Sequence, residues 1–166
     1  VLSLVLIALG FIRRERKLLR AALPDRINRG HIAECASVLA LVCVFLYLVT
    51  RDIRSWRFVS IGDEHAFFDV ALWFSDGRGP QNLFTNEGAY GYHPMLSSYL
   101  VSRVMQVFGE DVFGWRLGYN LMVAIGFIFF YALARTMFNR TVALVALGFI
   151  VTSHYILAFA HIGYNN

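Results

Sequence analysis

The sequence lacks the local patterns that identify many enzymes directly. Its 166 residues contain no nucleophile motif and no glycine-rich phosphate loop. They also lack a compact spacing of His, Cys, Asp and Glu for a metal ion, although binding of a divalent metal ion stays an open alternative. Internal repeats and low-complexity segments are absent too. Function therefore has to be inferred from the order of hydrophobic and polar segments.

Cysteine is nearly absent as well. Cys35 and Cys43 are the two cysteines of the chain, and they lie in the same hydrophobic run. Eight positions along one helix is too far for a disulfide between them. Cysteine usage therefore does not indicate the redox compartment.

Long hydrophobic runs dominate what is present. The chain is 58% hydrophobic and 16% aromatic, which is too apolar for an ordinary soluble domain. Three runs are long enough to cross a ~30 Å hydrocarbon core, namely 32–50, 117–134 and 141–160. The shorter run 1–12 is interpreted as the tail of a further membrane helix, because its basic residues follow the run, unlike those of a signal peptide. The sequence therefore predicts an all-α, polytopic transmembrane protein.

Basic residues in the short loops predict the orientation. The loop 13–31 has seven basic and two acidic residues, and the turn 135–140 is basic, so both are predicted to be cytoplasmic. The loop 51–116 has six arginines and eight acidic residues and is predicted to be extracytoplasmic, as is 161–166. We expect a multi-pass protein of a bacterial plasma membrane, with membrane lipids as partners. The net charge of +4 follows from this topology and predicts no nucleic-acid partner.

The loop 51–116 is predicted to contain two interfacial amphipathic helices, over about 63–75 and 94–108. In the first, the residues predicted to face lipid are Phe67, Phe68, Ala71 and Phe74. In the second, Pro94 suits a first helical position and Gly109 suits the residue after the end. At roughly 22 Å this helix is short for a crossing.

Three motifs in this region carry a family resemblance. They are Asp63-Glu64-His65-Ala66-Phe67-Phe68, then Tyr92-His93-Pro94-Met95, then Phe108-Gly109 shortly before Arg116-Leu117. Their order and spacing resemble the start of a C-type membrane glycosyltransferase. The nearest branch is that of the dolichyl-phosphate-mannose protein mannosyltransferases and the bacterial lipid A aminoarabinose transferases.

The resemblance implies an inverting transfer from a polyprenyl-phosphate sugar to an acceptor on the extracytoplasmic face. It assigns the general base to Asp63 and substrate binding to Glu64, His65, His93, Arg116 and Asn165. No cofactor is implied, since the lipid-linked sugar is itself the donor substrate. Simpler roles stay open: Ser60 and Asp63 also form a capping-box pattern, and Arg116 also suits a snorkelling anchor.

The chain also departs from the family. Two prolines are frequent in the family where this chain has Pro94-Met95, and family members have several hundred residues. We expect the chain to be the N-terminal part of such an enzyme or a shortened relative. The competing hypothesis is a noncatalytic scaffold subunit that packs with other membrane subunits in a larger complex.

Overall fold

A computed structural model describes residues 29–55, 63–79, 82–83, 88–91, 93 and 95–162. In chain order its helices are α1 (Arg29–Thr50), α2 (Asp63–Ser75), a 3-10 helix (Ala89–Gly91), α3 (Leu96–Phe108), α4 (Val112–Met137), α5 (Arg140–Val151) and α6 (His154–His161). No strand occurs among these described residues, so the predicted all-α class is confirmed. The chain divides into two units, 1–35 and 36–166, and the contacts given below belong to the second.

Among the residues that the structure describes, two helices are long and apolar enough to cross a membrane. They are α1, over Gly30–Thr50, and α4, over its whole length. These two candidate spans support the polytopic prediction. The helix α4 begins at Val112, before the hydrophobic run itself, because the Asp111 carboxylate accepts a hydrogen bond from the backbone N–H of Gly114 at 3.0 Å. The predicted tail 1–12 and most of the loop 13–31 lie outside the described residues.

The third hydrophobic run, predicted as one span over 141–160, is not a straight helix. Its two parts, α5 and α6, are bent by 48° at a short break. Thr152 ends α5, and Ser153 has the extended conformation of an N-cap before α6. Taken together, the bent pair is apolar and long enough to count as a third span.

The spans share one hydrophobic core. At its centre Phe45 of α1 meets Phe127 of α4 edge to face, with ring centroids 4.8 Å apart. Buried side chains of α5 and α6 join the same cluster, among them Leu147 and Ala160. Large apolar side chains on the opposite faces stay exposed, which suits contact with lipid; they include Leu39, Ile125, Phe129, Leu133, Val145 and Phe149.

A second core lies between α2, α3 and the first turns of α4. Phe67 and Phe74 are 4% and 5% exposed, and Ala71 is fully buried. The prediction that this face of α2 meets lipid is therefore wrong. The reason is that α3 offers α2 an apolar partner within the protein, together with Trp115 of α4.

Close packing in this second core depends on one glycine. A Cβ atom at Gly118 of α4 would lie 2.8 Å from the Val101 side chain of α3 and 3.2 Å from its Cα. The absence of a side chain lets α3 and α4 approach closely, as small residues do between membrane helices. The helix α3, and α2 packed against it, are thereby held close to the start of α4.

Candidate active site

Two adjacent carboxylates in the first turn of α2 lie in different surroundings. Asp63 is half-buried, whereas Glu64 is only 8% exposed. Neighbouring residues on a helix point about 100° apart, so one can face the core while the other lies at the edge. The first turn of a helix also favours negative charge, because its backbone N–H groups are not all used within the helix.

Glu64 forms a buried ion pair with Arg116 of α4. The Arg116 Nε donates to Glu64 Oε1 at 2.8 Å, and Nη2 donates to Oε2 at 3.2 Å. A third nitrogen, Nη1, donates to the Ile53 carbonyl just after α1 at 2.8 Å. The Arg116 side chain is completely buried. This guanidinium therefore joins the end of α1, the start of α2 and the start of α4 through charge-assisted hydrogen bonds.

The partners of Arg116 in the structure differ from those that the sequence predicts. The position of Arg116 at the outer mouth of the hydrophobic run predicts a lipid phosphate or the carboxylates of Glu110 and Asp111 as its partners. Both acidic residues have other partners: Glu110 accepts a hydrogen bond from the Ser75 hydroxyl, and Asp111 lies 3.4 Å from Arg54. Burial also contradicts the snorkelling alternative. The physical reason is that Glu64 supplies a carboxylate on the protein side of α4.

Asp63 is held by a residue that the sequence did not single out. The Tyr90 hydroxyl donates a hydrogen bond to Asp63 Oδ1 at 2.9 Å. The Tyr90 ring lies beside His93, with centroids 5.9 Å apart, and His93 in turn meets Phe67 at 5.3 Å. The structure thus brings Asp63 and His93 together through Tyr90. The nearest signal in the sequence is the pair of glycines that flanks Tyr90, at positions 88 and 91.

The other predicted site residues are less closely connected. His65 pairs with Asp69 one turn along α2, with 3.0 Å between Nδ1 and Oδ2. Asn165 lies outside the described residues, and so does Ser60, whose capping role is therefore not described. In the part of the chain that the structure describes, no group of three or more metal-ligating side chains occurs.

An open cleft of about 470 Å³ follows the end of α1. It is lined by Thr50, Arg51, Asp52, Ile53, Arg54, Ser55 and Phe113. Its two arginines are each near a carboxylate, since Arg51 lies 3.8 Å from Asp52 and Arg54 pairs with Asp111. Each arginine of this cleft therefore has a carboxylate nearby. The carboxylates of Asp63 and Glu64, which differ in burial, are the stronger candidates for acid–base chemistry.

Comparison with known proteins bears on the second half of this arrangement. Residues 92–166 match the family model described as dolichyl-phosphate-mannose-protein mannosyltransferase. The matched range includes His93 and Arg116 but begins after Asp63 and Glu64. No curated protein and no solved structure matches the chain. Together with the candidate spans, this match indicates an integral membrane protein. The resemblance predicted from the sequence is therefore confirmed over residues 92–166, which are similar to this mannosyltransferase family of the C-type membrane glycosyltransferases.

Proposed function

We propose that this chain carries the acid–base centre of a membrane glycosyltransferase. The enzyme would move a sugar from a polyprenyl-phosphate donor to a hydroxyl acceptor at the extracytoplasmic face. The observation that carries the proposal is the pair of carboxylates at the start of α2. One of them, Glu64, is neutralised by Arg116, while Asp63 is half-buried at the surface and is held by Tyr90.

Asp63 is the general base in this proposal. It takes the proton of the acceptor hydroxyl as the acceptor oxygen forms a bond to the anomeric carbon. The bond between that carbon and the phosphate oxygen breaks, and its electron pair stays on the polyprenyl phosphate. Attack from the face opposite the leaving phosphate inverts the anomeric centre. The reaction needs no cofactor, because the donor already carries an activated sugar.

The other predicted site residues have different roles in this proposal. Glu64 and Arg116 are both used within the protein, so in this proposal they fix the start of α2 and thereby the position of Asp63. His93 lies close enough to Tyr90 to line the same site. His65 and Asn165 stay predicted substrate-binding residues.

The proposed side of the membrane follows from the helix ends. The end of α1 and the start of α4 are adjacent, since Arg116 donates to the Ile53 carbonyl. The opposite end of α4 carries Arg135, and α5 begins there with Arg140. Basic residues at short turns favour the cytoplasmic side. We therefore propose that the carboxylates face the extracytoplasmic side of a bacterial plasma membrane.

The test compares Asp63→Asn with Asp76→Asn in the intact protein, reconstituted in lipid vesicles. Asparagine keeps the size of the side chain and can still accept a hydrogen bond from Tyr90, but it is not a base. Because general-base catalysis is worth about 10²- to 10⁴-fold, Asp63→Asn should lower kcat by about 10² or more. Asp76 is exposed after α2 and pairs with Arg78, so its variant should keep wild-type transfer.

The first donor to use is a polyprenyl-phosphate mannose, because the matched family is described by dolichyl-phosphate mannose. Other polyprenyl-phosphate sugars complete the panel. Donor binding, measured separately from turnover, should survive in Asp63→Asn. Near-normal transfer by this variant would remove Asp63 from the role of base.

The buried ion pair favours a second candidate, a noncatalytic scaffold subunit. Glu64 and Arg116 join three helical segments through hydrogen bonds within the protein, as a structural element would. If the intact wild-type protein binds none of the donors and transfers none of the sugars, the scaffold hypothesis is favoured over the enzyme. Co-purification of a stable membrane complex would then be its positive test.

A further inference from the structure

Tyr90 has a backbone conformation that side chains rarely adopt. Its φ is 56°, in the left-handed region, where a tyrosine is unfavourable and glycine is common. Gly91, its neighbour, also has a positive φ of 81°. A glycine at position 90 would satisfy the turn with less strain. Strained non-glycine residues are concentrated at functional sites, where the contacts of the side chain offset the backbone strain.

The Tyr90 side chain makes two contacts that a glycine at this position could not make. Its hydroxyl donates to Asp63 Oδ1, which lies 27 residues earlier in the chain, and its ring lies beside His93. Next to it, Ala89 is buried in the core formed by α2, α3 and α4. The 3-10 helix is thus attached to the core at Ala89 while Tyr90 reaches out to the carboxylate. Tyr90 itself is 50% exposed.

The close approach of the flanking chain supports the same conclusion. A Cβ atom at Gly88 would lie 2.0 Å from the His93 carbonyl oxygen, so this position accepts only glycine without a shift of the backbone. The chain is therefore folded tightly on both sides of Tyr90. This arrangement fixes the backbone from which the Tyr90 side chain extends.

We propose that Tyr90 is a positioning residue for Asp63, and this inference rests on the proposed role of Asp63 as base. The hydrogen bond from Tyr90 holds the carboxylate in one rotation about its Cβ–Cγ bond while the acceptor hydroxyl approaches. In the transfer step the acceptor proton moves to Asp63, and the tyrosine keeps its own proton. Correct placement of reacting groups is a large part of catalysis, because small misplacements lower the rate strongly.

The first variant is Tyr90→Phe, which keeps the ring and the backbone strain and removes only the hydroxyl. We expect kcat to fall by about tenfold, a smaller loss than that of Asp63→Asn, with the KM for donor unchanged. The matched control is Tyr47→Phe, because Tyr47 is an exposed tyrosine on α1. The control should keep both constants. A wild-type kcat in Tyr90→Phe would overturn the inference.

A second variant separates positioning from a purely structural role. Tyr90→Gly suits the positive φ, and the relief of backbone strain opposes the loss of the side-chain contacts, so the protein should still fold and unfold at a similar temperature. If Tyr90 positions Asp63, kcat should nevertheless fall at least as far as in Tyr90→Phe. Wild-type kcat in Tyr90→Gly would show that neither the hydroxyl nor the ring matters.

A double variant tests whether Tyr90 acts through Asp63. Once Asp63→Asn has removed the base, adding Tyr90→Phe should cost little or nothing more, because the two losses belong to one unit. Two losses that multiply would mean that Tyr90 acts elsewhere. If Asp63→Asn lowers kcat and Tyr90→Phe does not, this inference fails alone; if Asp63→Asn keeps kcat, the proposed base fails first.

A spectroscopic measurement tests the hydrogen bond between Tyr90 and Asp63 directly, even where no donor yet supports turnover. The infrared carboxylate bands of Asp63 are obtained as the difference between the wild type and Asp63→Asn. Because a donated hydrogen bond shifts these bands, Tyr90→Phe should move them and Tyr47→Phe should not. Unchanged bands in Tyr90→Phe would overturn the inference independently of activity.

Discussion

The buried pair of Glu64 and Arg116 allows a quantitative prediction about stability. The single variants are Glu64→Gln, which leaves a buried guanidinium without its counter-charge, and Arg116→Met, which leaves a buried carboxylate. The double variant Glu64→Leu/Arg116→Met removes both charges and keeps apolar volume. Each single change disturbs the same three-way junction of α1, α2 and α4.

The magnitude follows from burial and from the hydrogen bonds. Arg116 is fully buried and Glu64 is 8% exposed, and breaking such a pair by removing one partner costs about 3–5 kcal/mol. Replacement of both charges by apolar groups is often neutral. In this protein the Ile53 carbonyl would still lose its donor, at about 1 kcal/mol. We therefore expect the double variant to lose much less than either single variant.

Unfolding in detergent micelles, followed by tryptophan fluorescence, gives the free energies of the four proteins. The control is Arg54→Met, because Arg54 and Asp111 form an exposed pair at 3.4 Å and such pairs contribute about 1 kcal/mol or less. Single variants that cost no more than this control would refute the reasoning. So would a double variant whose loss equals the two single losses together.

Two further predictions concern topology and the second core. In a background without native cysteines, an impermeant thiol reagent should label Arg78→Cys from outside and Met137→Cys only after permeabilisation; the reverse pattern would invert the proposed orientation. Phe67→Ala should lower the free energy of unfolding by about 3–5 kcal/mol, because Phe67 is buried between α2, α3 and α4. The exposed Phe108→Ala should change it little, and equal losses in thermal unfolding would contradict the packing described for α2.

Hydrophobic runs and helix-terminal residues made much of the helical order predictable. The run 32–50 falls within α1, and α2 begins at Asp63, where the sequence placed a helix start. Local rules suffice for such features, because a span needs only about 20 apolar residues. The bend between α5 and α6 escaped prediction, because neither proline nor glycine marks the break at Thr152 and Ser153.

The candidate site was only partly predictable for a different reason. Asp63 and His93 were chosen by resemblance, and the structure connects them through Tyr90. The partner of Arg116 is 52 residues away in sequence, and nothing in the local pattern distinguishes Glu64 from the nearer Glu110. The left-handed conformation of Tyr90 is likewise a consequence of tertiary contacts.

The bend in the third hydrophobic run has a consequence for where α6 ends. At 1.5 Å per residue, the eight residues of α6 extend about 12 Å, and a bend of 48° carries their end about 9 Å sideways. That displacement is close to the diameter of one helix. The local turn is supported by its own hydrogen bonds, including one from the Thr152 hydroxyl to the Gly148 carbonyl at 2.8 Å. The end of α6 is thereby placed about one helix diameter away from the axis of α5, so a two-residue break determines where His161 lies.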